Sequence, residues 1–116
     1  MSRSTLEFLQ HIQRELTYLM GRSADMSYDD FITNDDLIRA FVRSFEIVGE
    51  ACKNVPEDIR FSNPEFNWSG FAKLRDRLIH HYWGIEYQII WNAILTEVPS
   101  NKEWIDLLVE QELNKL

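Results

Sequence analysis

The sequence contains one cysteine, so its fold cannot depend on an internal disulfide bond. That residue is Cys52, and it has no second cysteine to pair with. No signal-peptide pattern precedes the first amphipathic segment, and no apolar run is long enough to cross a membrane. These absences predict a reducing, cytoplasmic setting. Because Cys52 lies on an apolar helical stripe without a neighbouring histidine, we interpret it as a packed core thiol rather than a nucleophile.

Positive charge is also scarce. The chain has 12 lysines and arginines against 19 aspartates and glutamates, a formal net charge of −7. Proteins that bind nucleic acid without sequence preference draw their affinity from lysine and arginine contacts with phosphates. The balance therefore argues against a general nucleic-acid binder, and an RNA-directed function would have to depend on a local cluster of cations. The acidic remainder suits a basic partner surface, or solubility alone.

No segment alternates apolar and polar residues as a strand would, and no internal repeat is present. Hydrophobic residues make up 45% of the 116 residues, enough to bury the core of one domain. The apolar residues recur at three- and four-residue steps, which indicates amphipathic helices. We therefore predict an all-α fold: a single domain over residues 1–116, built as an up-and-down bundle of four to five helices.

Capping residues, glycines and prolines predict where the helices begin and end. The Ser-x-x-Glu pattern at Ser4 predicts a first helix that stops near Gly21, after which residues 22–33 form a loop with one turn of helix. Asn34 is expected to cap a second helix that ends before Pro56, with a short helical piece at residues 57–60. Within this second helix, Gly49 predicts close approach by another helix.

The second half of the sequence predicts three further helices. Trp68 is expected to open a central helix, and Gly84 to break or kink it. The buried stripe of this helix is predicted to be Phe71, Leu74, Leu78 and Ile79. A helix with a broad apolar surface then runs to Pro99, which is expected to stop it. Another Ser-x-x-Glu pattern, at Ser100, predicts the start of the last helix.

The chemically distinctive stretch is residues 73–82, with the sequence KLRDRLIHHY. Its arginines, Arg75 and Arg77, carry permanently charged guanidinium groups whose N–H donors suit phosphate oxygens. Its histidines, His80 and His81, can transfer protons near neutral pH. Residue types of this kind suit phosphate chemistry. A charged helix surface, in which Asp76 pairs with Lys73 or Arg77, explains the same residues without any function.

The spacing within the stretch limits its geometry. Asp76 and His80 are four residues apart, so on a helix they share a face and the carboxylate could orient the imidazole. Arg75 and His80 are five apart, which separates them by roughly 140° around a helix axis. One straight helix cannot easily direct both side chains at one atom. Either the helix breaks near His80, or a second chain completes the site.

Arg75, His80 and Tyr82 together form an R-x4-H-x-Y pattern, which resembles the HepT-like branch of the HEPN ribonuclease toxins. The likeness extends in order and spacing over roughly residues 6–98. Besides the pattern itself, the matching segments are NDDL at residues 34–37, SFEIVGEA at 44–51, NPEFNW at 63–68, LRDRLIH at 74–80 and Ile90-Trp91. An R-x4-H pattern alone would be weak, because short patterns recur by chance; the ordered set is specific.

The resemblance implies metal-independent RNA cleavage without a cofactor, in which a ribose 2′-hydroxyl attacks the adjacent phosphorus. His80 would be the acid–base group, Arg75 would hold the phosphate oxygens, and Asp76 would orient His80. Arg77 would assist phosphate binding. Members of the family dimerise so that two copies of the motif line one cleft, which implies a homodimer with a composite site.

The resemblance gives Tyr82 a separate role. Family toxins are paired with a minimal nucleotidyltransferase antitoxin that transfers AMP to the motif tyrosine, adding bulk and charge beside the histidine. Without the resemblance, Tyr82 would be read as an amphipathic residue at a helix edge. The chain also departs from the family pattern. His81 stands where a small residue is usual, and Trp83 and Glu86 differ from the commoner Phe and Asp. Because Arg75 and His81 also fit the looser HEPN spacing, either imidazole could be catalytic, although the H-x-Y register selects His80.

Two other functions remain open at this point. The chain could be a non-catalytic helical dimer that serves as the binding subunit of a nucleotidyltransferase, with structural or nucleotide-contacting histidines. A metal-dependent nuclease is less well supported, because Glu46 and Glu50 sit one turn apart without further acidic ligands. We interpret these two glutamates as a solvated face or a partner contact.

Overall fold

The computed structural model describes residues 3–81, 84 and 86–116, and this part of the chain is helical without a strand. The helices are α1 (Arg3–Ser23), α2 (Tyr28–Ile32), α3 (Asp35–Asn54), α4 (Glu57–Ser62), α5 (Trp68–His80), α6 (Tyr87–Asn92) and α7 (Val98–Asn114), with a π-helical segment (Ala93–Glu97) joining the last two. The predicted all-α fold is confirmed. None of the described helices is both long and apolar enough to cross a bilayer.

The long helices pack around α3. This helix lies against α5 on one side and α1 on the other, and α1 in turn packs against α7. Fully buried side chains, including Phe31, Phe41 and Phe45, fill the space between them. Each such side chain contributes roughly 1.5–3 kcal/mol relative to an exposed one. The bundle therefore fixes α3 firmly, and α5 takes its position from α3.

The predicted beginning and end of α3 are confirmed. The Asn34 side chain accepts a hydrogen bond from the backbone N–H of Leu37 at 3.1 Å, which satisfies one of the donors left over at a helix N-terminus. Asp35 and Asp36 in the first turn suit the positive end of the helix dipole. The helix ends at Asn54, before Pro56, and the short helix expected after it is α4.

The predicted limits of α1 were wrong at both ends. Ser4 lies inside the helix rather than capping it, because the helix already begins at Arg3. Gly21 also lies inside it, because the helix continues to Ser23. The chain leaves the helix after Ser23, where Asp25 adopts a left-handed conformation with φ 62°.

The predicted break at Pro99 was also wrong. The chain continues as helix from Tyr87 to Asn114, and the Val98 N–H donates to the Ala93 carbonyl, five residues back, in the π-helical segment. A π turn so close to the proline loosens the i−4 pattern in which a proline ring would clash. Ser100 is therefore interior rather than a cap, and its hydroxyl donates to the Thr96 carbonyl at 3.4 Å.

Gly49 lies at the contact between α3 and α5, as its position inside a helix predicted. A Cβ at this position would lie 2.3 Å from the Arg75 Cβ and 2.7 Å from the Phe71 carbonyl oxygen. Neither atom belongs to the flexible end of a side chain, so the helices would have to move apart. The missing side chain is therefore what lets α3 and α5 approach closely at Arg75.

This contact predicts that Gly49→Ala destabilises the protein. The added methyl group forces the two helices apart, and overpacking of this kind costs about 1–3 kcal/mol in the free energy of unfolding. Urea denaturation followed by circular dichroism measures the change.

Gly21→Ala is the matched control, because the same substitution there meets open space and should stabilise its helix by up to about 1 kcal/mol. Equal stability changes in the two variants would show that Gly49 has no packing role.

Candidate active site at the end of helix α5

Helix α5 is anchored at its N-terminus. The Asn67 side chain caps it by accepting from the Gly70 N–H at 3.1 Å, and the backbone N–H of Asn67 donates to the buried Asn101 at 2.7 Å. Trp68 and Phe71 in the first turn are buried. These contacts fix the direction of α5 and thereby the position of its other end.

The C-terminal half of α5 leaves the core. Leu74 and Leu78 are half-buried, and Ile79, predicted to lie in the buried stripe, is 38% exposed. The prediction for Ile79 was wrong because its side chain lines an open groove between α1, α3 and α5 instead of packing in the core. The cluster of charged residues and histidines is therefore accessible from solvent.

The helix ends at the histidines, but Arg75 and His80 both lie within it, so the roughly 140° between their side chains remains. His80 is the last helical residue, and His81 is the C-cap, with its N–H donating to the Arg77 carbonyl at 3.1 Å. Gly84 lies beyond this end, where its N–H donates to the His81 carbonyl at 3.1 Å. The break thus comes before the glycine that was expected to cause it.

Arg75 is held by two carboxylates. Its Nε lies 2.9 Å from Glu50 Oε2 on α3, and its Nη1 lies 3.0 Å from Asp76 Oδ1. Asn54 steadies Glu50, because its Nδ2 donates to Glu50 Oε1 at 3.4 Å. The Arg75 side chain is only 24% exposed, and these contacts fix its guanidinium in one orientation.

The charged-surface interpretation paired Asp76 with Lys73 or Arg77, but the structure gives Asp76 other partners. Its Oδ1 instead contacts Lys53 Nζ at 3.3 Å as well as Arg75. The hydrogen bond from Lys53, and then that from Arg75, lower the pKa of the Asp76 carboxyl. The carboxylate is therefore ionised at neutral pH and part of a chain of ion pairs between α3 and α5.

His80 is oriented by the main chain of Asp76 and not by its carboxylate. The His80 Nδ1 lies 2.7 Å from the Asp76 carbonyl oxygen. Since a carbonyl oxygen only accepts, the proton belongs on Nδ1, and in the neutral ring Nε2 becomes the proton acceptor. Asp76 thus contacts the imidazole through its main-chain carbonyl oxygen and not through the carboxylate that was expected to orient it.

Arg77 forms a bidentate ion pair with Glu86. Arg77 Nε and Nη2 donate to the two carboxylate oxygens of Glu86 at 2.9 and 2.7 Å. Glu86 precedes α6, so the pair ties the end of α5 to the start of the next helix. The predicted assistance of Arg77 in phosphate binding would require this pair to open. His81 lies beside it, in a small cleft with Leu78 and Ile89.

A groove of about 400 Å³ opens beside Arg75. We name it the Arg75 groove. Its lining comes from α1, α3 and α5: Phe8, His11, Arg43, Glu46, Ile47, Glu50, Ala51, Asn54, Arg75 and Ile79. This groove could not be predicted from the sequence, because its walls belong to three separate helices.

The described residues contain no group of three or more histidines, cysteines, aspartates or glutamates that could hold a metal ion. Glu46 and Glu50, considered earlier as a carboxylate pair, each face an arginine instead: Arg43 at 3.7 Å and Arg75 at 2.9 Å. The Glu50 side chain is 55% exposed and the Glu46 side chain 24% exposed, so both glutamates remain in contact with solvent as ion-pair partners.

Cys52 is buried in the core, as predicted, and burial raises the pKa of its thiol. The thiol therefore stays neutral at pH 7 to 8 and should not react with an aromatic disulfide reagent while the protein is folded. The absorbance of the released thiolate, followed in native buffer and in 6 M guanidinium as a control, measures this difference. Labelling of the native protein at the rate of the unfolded one would contradict it.

Tyr82 and Trp83 lie outside the described residues. The modification predicted for Tyr82 therefore has no local geometry to support or oppose it.

Residues 7–108 match the family described as HepT-like ribonucleases. The chain belongs to this family. No solved structure matches the chain.

The similar proteins carry ribonuclease names. A protein of Caldanaerobacter subterraneus subsp. tengcongensis, named as an RNase, is 41% identical over 105 residues, which cover 90% of this chain and 94% of its own. One of Methanocaldococcus jannaschii, also named as an RNase, is 39% identical over 103 residues, 89% of this chain and 85% of its own. A protein named as a ribonuclease HepT from Thermococcus cleftensis is 32% identical over 102 residues, 88% and 93% of the two chains.

Proposed function

We propose that this member of the ribonuclease family is a metal-independent endoribonuclease toxin whose reaction depends on Arg75 and His80. The observation that supports it most is the arrangement at the end of α5. A guanidinium held by two carboxylates lies five residues before an exposed imidazole, and the main chain orients that imidazole. Both groups are fixed before substrate arrives, as catalysis by positioning requires.

In the proposed reaction, the ribose 2′-oxygen attacks the adjacent phosphorus and the bond to the 5′-oxygen breaks. His80 Nε2 accepts the 2′-hydroxyl proton, the 5′-oxygen takes up a proton as it leaves, and the products are a 2′,3′-cyclic phosphate and a 5′-hydroxyl. Arg75 stabilises the charge that develops on the non-bridging oxygens. Its contacts with Glu50 and Asp76 use Nε and Nη1, which leaves Nη2 for phosphate.

Besides the base, a second group must donate the proton that the leaving 5′-oxygen takes up. A homodimer that brings two copies of the motif into one cleft would supply a second His80 for this step. The roughly 140° between Arg75 and His80 in one protomer would then no longer matter, because each phosphate could contact the arginine of one protomer and the histidine of the other. The composite site is thus part of the proposal.

We expect His80→Ala to lower RNA cleavage by about 10²–10⁴-fold, because the acid–base group is lost. Arg75→Ala should lower it by about 10²–10³-fold, and Arg75→Lys should fail to restore it, because lysine lacks the planar fork. Cleavage of a single-stranded RNA, measured in EDTA with folding checked by circular dichroism, tests both residues.

His81→Ala and Arg22→Ala are the matched controls, the first for the neighbouring imidazole and the second for an exposed arginine at the end of α1. Both should retain activity. Cleavage that requires a metal ion, or that survives in His80→Ala and fails in His81→Ala, would contradict the assignment. Absence of cleavage in every unmodified sample would instead favour a non-catalytic binding subunit.

We propose further that a minimal nucleotidyltransferase antitoxin inactivates the protein by AMP transfer to Tyr82. The Tyr82 oxygen would attack the α-phosphorus of ATP and pyrophosphate would leave, placing a charged, bulky group two residues from His80. That group would compete with RNA for Arg75 and repel the RNA backbone. The R-x4-H-x-Y spacing and the family membership support this role.

Intact mass after incubation with the cognate transferase and ATP tests this step. We expect an increase of one or more adenylyl groups, mapped to Tyr82 by peptide mass spectrometry, with loss of RNA cleavage. Tyr82→Phe should prevent both changes, whereas Tyr87→Phe, five residues away and exposed, should prevent neither. An unchanged mass with an active transferase would exclude the modification.

A further inference from the structure

We infer that the Arg75 groove is a subsite for an unpaired nucleobase, and that it makes cleavage depend on the base next to the scissile phosphate. This inference rests on the proposed ribonuclease reaction and extends it, because it assigns the groove a substrate group and gives roles to His11, Arg43 and Glu46. Four features of the groove support it.

The first feature is position. Arg75 forms part of the groove wall, and Ile79, the residue before His80, forms another part. A phosphate bound at Arg75 would therefore have the groove immediately beside it. Since a base is attached to the sugar that joins consecutive phosphates, the base of an adjacent nucleotide is the substrate group nearest to this space.

The second feature is size and surface. A volume of about 400 Å³ lies in the range of small-molecule sites, roughly 300–1,000 Å³. The apolar lining includes Phe8, Ile47 and Ala51, and the exposed His11 ring stands edge-on to Phe8 with centroids 6.5 Å apart and an interplanar angle of 79°. Unpaired bases commonly stack on aromatic and imidazole rings of this kind.

The third feature is charge. Each arginine of the groove faces a glutamate, Arg43 with Glu46 and Arg75 with Glu50. The interior therefore offers both donors and acceptors with little net charge from these four residues. A neutral base edge fits this balance better than a second phosphate does, because the two carboxylates would repel a phosphate.

The fourth feature is the state of the Arg43–Glu46 pair. Its closest nitrogen–oxygen distance is 3.7 Å, too long for a strong hydrogen bond, and the Arg43 side chain is 71% exposed. The Arg43 guanidinium can therefore turn to a ligand at little cost, beside a Glu46 carboxylate whose side chain is 24% exposed. Guanine suits them best, because its O6 and N7 accept from arginine while its adjacent N1–H and N2–H groups donate to a carboxylate.

Binding of guanosine 3′-monophosphate, measured by calorimetry with the full chain, tests the subsite without any cleavage. Inorganic phosphate and the three other 3′-mononucleotides serve as competing probes. We expect guanosine 3′-monophosphate to bind at least tenfold more tightly than phosphate and than the uridine compound. His11→Ala should weaken it about tenfold through lost stacking, and Glu46→Gln should abolish the preference for guanine.

Glu103→Gln on α7 is the matched control for Glu46→Gln, since it removes an exposed carboxylate outside the groove and should leave binding unchanged. In cleavage assays, His11→Ala and Glu46→Gln should raise KM at guanosine-containing steps with little change in kcat, whereas Arg75→Ala and His80→Ala lower kcat.

The outcomes separate this inference from the proposed reaction. If cleavage requires Arg75 and His80 but neither His11→Ala nor Glu46→Gln alters nucleotide binding, the reaction stands and the subsite is overturned. If guanosine 3′-monophosphate binds as expected but RNA is not cleaved, the subsite stands and the reaction fails. If the two variants shift the dimer dissociation constant and leave nucleotide binding unchanged, a second copy of the chain occupies the groove, which overturns the subsite.

Discussion

The close approach of α3 and α5 at Gly49 is the constraint on which the candidate site depends. Because Gly49 has no side chain, the Arg75 Cβ can lie within the space that another residue would fill. Glu50, the next residue of α3, then reaches the Arg75 guanidinium, and Lys53, one turn further, reaches Asp76. One glycine thus permits a set of ion pairs that fixes the charged end of α5 against the bundle.

The same ion pairs limit what Arg75 can do alone. A guanidinium that is only 24% exposed requires partners, because an unpaired charge there would lose its hydration without compensation. Glu50 and Asp76 supply that compensation, but their negative charges also weaken the attraction of Arg75 for a phosphate. In a chain with a net charge of −7, RNA affinity must therefore come partly from contacts other than phosphate, such as stacking and hydrogen bonds to bases.

Local sequence signals predicted helix ends well where the end depends on local contacts. Asn34 caps α3 and Trp68 opens α5, because each depends on side-chain contacts within a few residues. The predictions at Gly21 and Pro99 failed for a different reason. A glycine permits a helix to end but does not force it to, and Gly21 stays helical. A proline ends a helix only if the preceding turn cannot rearrange to accommodate its ring. The π-helical segment before Pro99 provides that rearrangement.

The site shows the same division between local and tertiary information. The spacing of Arg75 and His80 predicted either a helix end near His80 or a site completed by a second chain. Glu50, Lys53 and Glu86 come from other elements, and no periodicity could match them to their partners. Asp76 links the two levels. Its side chain holds Arg75 and its carbonyl holds His80, so one residue fixes the arginine and the histidine relative to each other within a single protomer.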